Sequence, residues 1–148
     1  VVTLCDEALA FGGLSLANAG LGAVHGFAGP IGGSFPAPHG AVCAVLLPPV
    51  MAANLKALRA REPQSHVLSR YDRIAALLTG NAHATADAGV EWVQKLVADL
   101  PVSRLGAYGI RDEHVADIVA KAAKASSMKA NPIQLTPDEL AQTLRLAL

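Results

Sequence analysis

The sequence predicts an all-α helical bundle, and three observations carry that expectation. Apolar residues recur at three- and four-residue steps through the later two thirds of the chain, capping residues stand at helix boundaries, and no stretch of four or more residues alternates as a strand would. With 148 residues, 52% hydrophobic and only 16% charged, the chain is about one domain long and has the composition of a buried core rather than of disorder. Residues 1–148 are therefore expected to form a single helical domain.

The elements follow in order. Residues 9–27 are apolar or small at almost every position, as in a helix buried on all sides, and the uncharged stretch extends from residue 8 to residue 55. Because burying an unpaired charge is costly, residues 8–28 and 41–53 are expected to form the interior. Between them, residues 29–38 hold four prolines or glycines in their first five positions and are expected to be a loop. The second apolar run is interrupted by Pro48 and Pro49. Residues 65–78 carry Val67, Leu68, Tyr71, Ile74, Ala75 and Leu78 at helical spacing and stop at Gly80. Residues 85–100 repeat the pattern with Val90, Val93, Leu96 and Val97, and residues 112–125 do so with Val115, Ile118 and Val119. Thr136-Pro137-Asp138-Glu139 supplies an N-cap, a proline at the first helical position and a Glu at the third, which together form a capping box opening a last helix.

Composition excludes several functions. Twelve bases balance twelve acids, so the electrostatic footprint of a nucleic-acid-binding domain is missing. Two cysteines, Cys5 and Cys43, are too few for a secreted disulfide scaffold, which points to a reducing cytoplasm. The uncharged run of residues 8–28 is long enough to span a bilayer. Asn18, His25, several glycines and the lack of a basic anchor before Lys56 favour a core helix over a membrane hairpin.

Two histidines bracket the expected loop. Neutral imidazole is the commonest transition-metal ligand, so His25 and His39 are a candidate metal pair; the alternative is a pair of core histidines bonded to backbone. No carboxylate lies between residues 8 and 61 to join them. Cys43 reads as a small core residue, Trp92 as core or interface, and His66, His83 and His114 as solvated. Phe27 and Phe35 flank the pair and read as packing residues that could also line a pocket.

The run Asn18-Ala19-Gly20-Leu21-Gly22-Ala23-Val24-His25, then Gly32-Gly33-Ser34-Phe35 and Pro38-His39-Gly40-Ala41-Val42-Cys43-Ala44-Val45-Leu46-Leu47-Pro48, resembles the iron-containing (group III) alcohol dehydrogenases. Agreement at Ala130-Asn131-Pro132 extends the likeness toward the C-terminus. The resemblance implies the C-terminal helical part of a dehydroquinate synthase-like fold, from an enzyme moving hydride between an alcohol or aldehyde and NAD or NADP. It implies Fe(II) or Zn as the metal and places His25 and His39 on the family's two later metal ligands. It also implies that two earlier ligands and the nucleotide-binding domain precede Val1, so that this chain alone is inactive and holds no assignable catalytic or nucleotide-contacting residue. The partners expected are a small alcohol or aldehyde and, in a homo-oligomer, a second copy, with no nucleic acid and no membrane. Many members carry a further histidine four residues after the first of these ligands, where this chain has Gly29. The Gly-Gly-Ser-Phe stretch is also similar to maleylacetate reductases, and a non-catalytic helical interaction module is the remaining alternative.

Overall fold

The computed structural model describes residues 12–14 and 17–148, and among them there are helices and 3-10 turns but no strand. Among the described residues from Ala23 onward, six α-helices organise the fold: α1 (Ala23–Ser34), α2 (His39–Arg61), α3 (His66–Thr79), α4 (Ala86–Asp99), α5 (Val115–Ala122) and α6 (Pro137–Arg145). Helix α1 packs on α2 and α5, α2 also packs on α4 and α6, and α3 and α4 form a hairpin beside α2. Phe27, Ile31, Val42, Leu46, Leu58, Ile118 and Leu144 lie at the centre of the core, each 2% exposed or less.

Helix α1 forms against its local propensities. It contains Pro30 and four glycines, and its N-cap Gly22 offers no side chain. The cap comes from elsewhere: Asn131 Oδ1 accepts the Ala23 N–H at 3.0 Å, satisfying one of the donors a helix start leaves open. Proline costs about 3 kcal/mol in a helix interior. Burying Phe27 or Ile31 returns roughly 1.5–3 kcal/mol each. Tertiary packing thus places residues 29–34 in a helix where the glycine and proline content predicts a loop, and the true connection is Phe35 to Pro38 alone.

The expected interior is also corrected upstream of α1. Residues 12–14 and 17–19 are helical but exposed, with Leu14 at 60%. Residues 17–19 do not continue into α1, because Gly20 adopts a left-handed conformation (φ 72°) and Gly22 an extended one. Lack of charge removes a desolvation cost but supplies no surface to pack on. The interior from this region is therefore Ala23, Phe27, Ala28 and Ile31. Residues 1–11, with Cys5, lie outside the described residues.

Helix α2 runs through Pro48 and Pro49 without ending. Neither proline has an N–H, so the Ala44 and Val45 carbonyls lose their helical donors, while Val42, Val45, Leu46, Val50 and Leu58 hold the helix in the core. It is also the one described helix long and apolar enough to cross a membrane, with half of its apolar window buried against the other helices.

The other helices fall close to their sequence expectations. Ser65 caps α3 by accepting the Val67 N–H, and Gly80 ends it at φ 69°. Asp72 of α3 accepts the Ala86 N–H at 2.8 Å and so fixes the start of α4. At Gly89 the two helices touch so closely that a Cβ would lie 2.9 Å from Ala75 Cβ. The 112–125 segment opens as a 3-10 turn over Asp112–His114, and its α-helix ends at Ala122. At α6 the capping box is complete: Thr136 Oγ1 accepts the Glu139 N–H at 3.2 Å, and Glu139 Oε2 accepts the Thr136 N–H at 2.7 Å.

Candidate metal centre

His25 occupies the third position of α1 and His39 the first position of α2. From His25 to Ser34 the helix rises about 13 Å at 1.5 Å per residue. The four-residue connection can span about 13 Å when extended, and Phe35 is extended (φ −133°, ψ 151°). The chain can therefore return to the level of His25 before α2 begins, and the two imidazole centroids lie 5.3 Å apart with an interplanar angle of 50°.

One turn into α2, Cys43 stands on the face of His39, as an i, i+4 pair must. Its Sγ lies 3.5 Å from His39 Nε2 and 3.9 Å from His25 Nε2. One donor atom from each of the three residues fits within 4.8 Å, and no other group of three or more His, Cys, Asp or Glu donors gathers in this way among the described residues. His39 is exposed, while His25 and Cys43 are half-buried.

The surroundings disfavour charge on two of the three groups, His25 and Cys43. Burial, followed by the neighbouring His39, holds His25 below the usual histidine range, which favours the neutral imidazole whose lone pair a metal needs. Burial pushes the Cys43 thiol up. Imidazole nitrogens are donors that suit Fe(II) or Zn(II). Two or three ligands leave further coordination positions to be filled from outside the cluster.

Cys43 is half-buried and packs against the core as expected, and it is also a neighbour of both imidazoles. Asn131 was visible only as part of a weak likeness. Its Nδ2 donates to Asn54 Oδ1 and to the Ile133 carbonyl, each at 2.7 Å, while its Oδ1 caps the helix that carries His25.

The other singled-out residues stand apart from the cluster. Phe27 is fully buried. Phe35 is half-buried and meets the His114 ring edge-on at 5.1 Å. His114 is not simply solvated: its Nδ1 accepts the Arg111 N–H at 3.0 Å. His66 and His83 are exposed, and Trp92 is 37% exposed on α4 rather than in the core. Gly29, one turn beyond His25, is exposed, and a Cβ there would meet nothing within 4 Å.

Comparison with known proteins agrees with this architecture. Residues 4–148 match the model of the C-terminal part of the Fe-containing alcohol dehydrogenase family. The chain is 32% identical to alcohol dehydrogenase 4 of Schizosaccharomyces pombe over 138 residues, which are 93% of the chain and 31% of that protein. It is 50% identical to lactaldehyde reductase of Escherichia coli over 42 residues, 28% of the chain and 11% of that enzyme. A solved structure of 1,3-propanediol oxidoreductase superposes with a TM-score of 0.76 at 29% identity, covering 92% of the chain and 35% of the enzyme. The chain thus spans about a third of the length of the relatives that match along it. By this match and by its all-helical fold, the chain belongs to the Fe-containing alcohol dehydrogenase family and corresponds to the C-terminal part of its members.

Proposed function

We propose that this chain forms the helical wall of the metal site in an NAD(P)-dependent alcohol dehydrogenase that interconverts small alcohols and aldehydes. The observation that supports this most is the pairing of His25 and His39, with centroids 5.3 Å apart on the starts of two core helices. In the proposal His25 and His39 each give an Nε2 lone pair to one divalent ion, Fe(II) or Zn(II). The remaining ligands, an Asp and a His four residues apart in other members, come from protein outside this chain. When bound, such an ion supplies Lewis acidity, polarising the substrate oxygen and lowering the pKa of an alcohol. The protein's own part is to hold the two rings on rigid helices, with Asn131 fixing the start of α1. Because Gly29 has no side chain, any proton relay at that position runs through other groups.

The relatives' names, which include alcohol dehydrogenase, lactaldehyde reductase and 1,3-propanediol oxidoreductase, support a small alcohol or aldehyde as the substrate class. The hydride carrier, NAD or NADP, would be held by the part of the enzyme outside this chain, so the chain alone should be inactive. The proposal places the enzyme in the cytoplasm, acting on small molecules without nucleic acid or membrane, and compatible with a homo-oligomer. The experiment is NAD(P)H formation from short alcohols and diols by the full-length protein, before and after metal removal and reloading with Fe(II) or Zn(II). Turnover that is lost with the metal and recovered on reloading is expected. Turnover unaffected by complete metal removal would reject the proposal, as would NAD(P)H formation by this chain alone above a metal-only blank.

A further inference from the structure

Three glycines around the start of α1 lie against one short segment from the far end of the chain. A Cβ at Gly20 would stand 2.9 Å from Ala130 Cβ, one at Gly22 3.0 Å from Asn131 Oδ1, and one at Gly26 2.6 Å from Met128 Cε. Residues 128–131 are thus clamped across the first turn of α1 more closely than side chains at those three positions would allow. Within that turn the Ala23 N–H donates to Asn131 Oδ1 at 3.0 Å, while Gly22, the N-cap, supplies no side-chain bond. The first N–H groups of a helix have no acceptor inside it, so the turn takes its anchor from Asn131. That anchor is itself fixed: its Nδ2 donates to the Ile133 carbonyl and to Oδ1 of Asn54, a residue 3% exposed on α2, the helix that His39 opens. His25 is the third residue of α1 and lies inside the clamped turn. Fraying there would displace one imidazole while Phe27 and Ile31 stay packed further along the helix.

We propose that Asn131 is a positioning residue of the metal site: by anchoring the first turn of α1 it holds the His25 ring at the 5.3 Å centroid spacing from His39 at which the two can share a divalent cation. Asn131 acts through the backbone of that turn and gives the cation no ligand, so the shell of two histidines with an Asp and a His from outside the chain is unchanged. A turn ordered in advance spares the cation the cost of ordering it on binding. The role of Asn131 is therefore expressed in cation affinity as well as in stability. This inference rests on the metal-binding reading of His25 and His39, and its test separates the two.

The probe is Zn(II), titrated into the metal-free full-length protein in competition with a chromophoric chelator, beside amide hydrogen exchange of residues 22–27 in the metal-free state. Asn131→Ala removes the acceptor of the Ala23 N–H. It should bind Zn(II) roughly tenfold more weakly, the lower end of what losing an outer partner of a ligand costs, and exchange faster over residues 22–27. Asn131→Asp keeps an oxygen for that N–H, and an anion suits a helix N-terminus. Most of the affinity should return in it, although the donor to Asn54 is lost. Gly89→Ala is the control for stability alone, since its Cβ would press on Ala75 in the α3–α4 hairpin and not on the clamp; its affinity should equal that of the wild type. Unchanged affinity in Asn131→Ala, or an equal loss in Asn131→Ala and Gly89→Ala, would overturn the positioning role and leave the histidine pair standing. Where Asn131→Ala does not fold, Asn131→Asp decides: affinity lost while the amides of residues 22–27 stay protected would overturn the role equally. A wild-type protein that binds no Zn(II) would overturn the metal reading of the histidines and this inference with it.

Discussion

Asn131 Oδ1 accepts the backbone N–H of Ala23 at 3.0 Å across 108 residues of sequence. This bond joins the C-terminal third of the chain to the first turn of α1, two residues before His25. The same amide pairs reciprocally with Asn54 of α2, which is 3% exposed and also reaches the Tyr71 hydroxyl at 3.4 Å. Asn131 thereby ties together the helices that carry both histidines, and Asn54 extends the network to the hairpin beside them.

Replacing Asn131 with Ala should lower stability by about 1–3 kcal/mol, because a buried Asn54 amide loses its partner while the α1 start loses its cap. Chemical denaturation measures the loss. A midpoint equal to the wild type would show that water replaces the amide without cost.

Gly29 and Gly89 both lie inside helices but should respond to alanine with opposite signs. At Gly29 a Cβ meets nothing within 4 Å, so Gly29→Ala should stabilise by about 0.5–1 kcal/mol through helix propensity alone. At Gly89 the new Cβ would stand 2.9 Å from Ala75 Cβ and 3.1 Å from its Cα. Forcing α3 and α4 apart should cost about 1–3 kcal/mol. Thermal unfolding of the two variants decides, and equal shifts would contradict the close contact of the hairpin.

Much of this architecture is legible in the sequence, and the places where it is not have a common physical origin. The Thr136 capping box and the Ser65 to Gly80 helix are local devices whose partners lie within a few residues, and the structure reproduces them. Helix α1 is not local in this sense. Its cap sits at Asn131, and its helical state despite Pro30 depends on what Phe27 and Ile31 pack against. The exposure of Leu14 fails for the complementary reason, since hydropathy records a preference for burial and not whether a surface is present to provide it. At the cluster, His25 and His39 are legible as candidates, whereas the four-residue spacing of Cys43 from His39 gains meaning only once one helix is seen to carry both.

The Arg59–Asp87 pair gives a pH-dependent test. Arg59 Nη1 and Nη2 donate to the two carboxylate oxygens at 2.8 and 2.6 Å, and this bond holds the Asp87 carboxyl below its usual range. A carboxylate depressed in the folded state adds stability above its unfolded pKa of about 4, and that stability is lost as pH falls through the folded value. Both side chains are about half exposed, at 48% and 59%, so the contribution is at most about 1 kcal/mol. Asp87→Asn should therefore be less stable than the wild type at neutral pH, and the gap should close on acidification. A gap that persists at low pH would assign it to something other than ionisation.

Thr136→Ala should cost about 1 kcal/mol by removing the acceptor of the Glu139 N–H. The loss should extend to the Arg61 ion pair, because Arg61 reaches Glu139 at 2.9 Å and the Gln134 carbonyl at 2.8 Å beside the same cap. Hydrogen exchange of the first α6 amides measures it. Unchanged protection there would contradict the cap.

The proposal that His25 and His39 share one metal ion is tested most directly by elemental analysis of the purified full-length protein beside His25→Ala and His39→Ala, with folding monitored in parallel. If the two imidazoles hold one ion, each variant should lose bound iron or zinc while keeping a native circular dichroism spectrum, because removing a ligand opens the coordination shell. Full metal retention in both variants, with stability alone reduced, would show the two histidines to be packing residues and contradict the metal assignment.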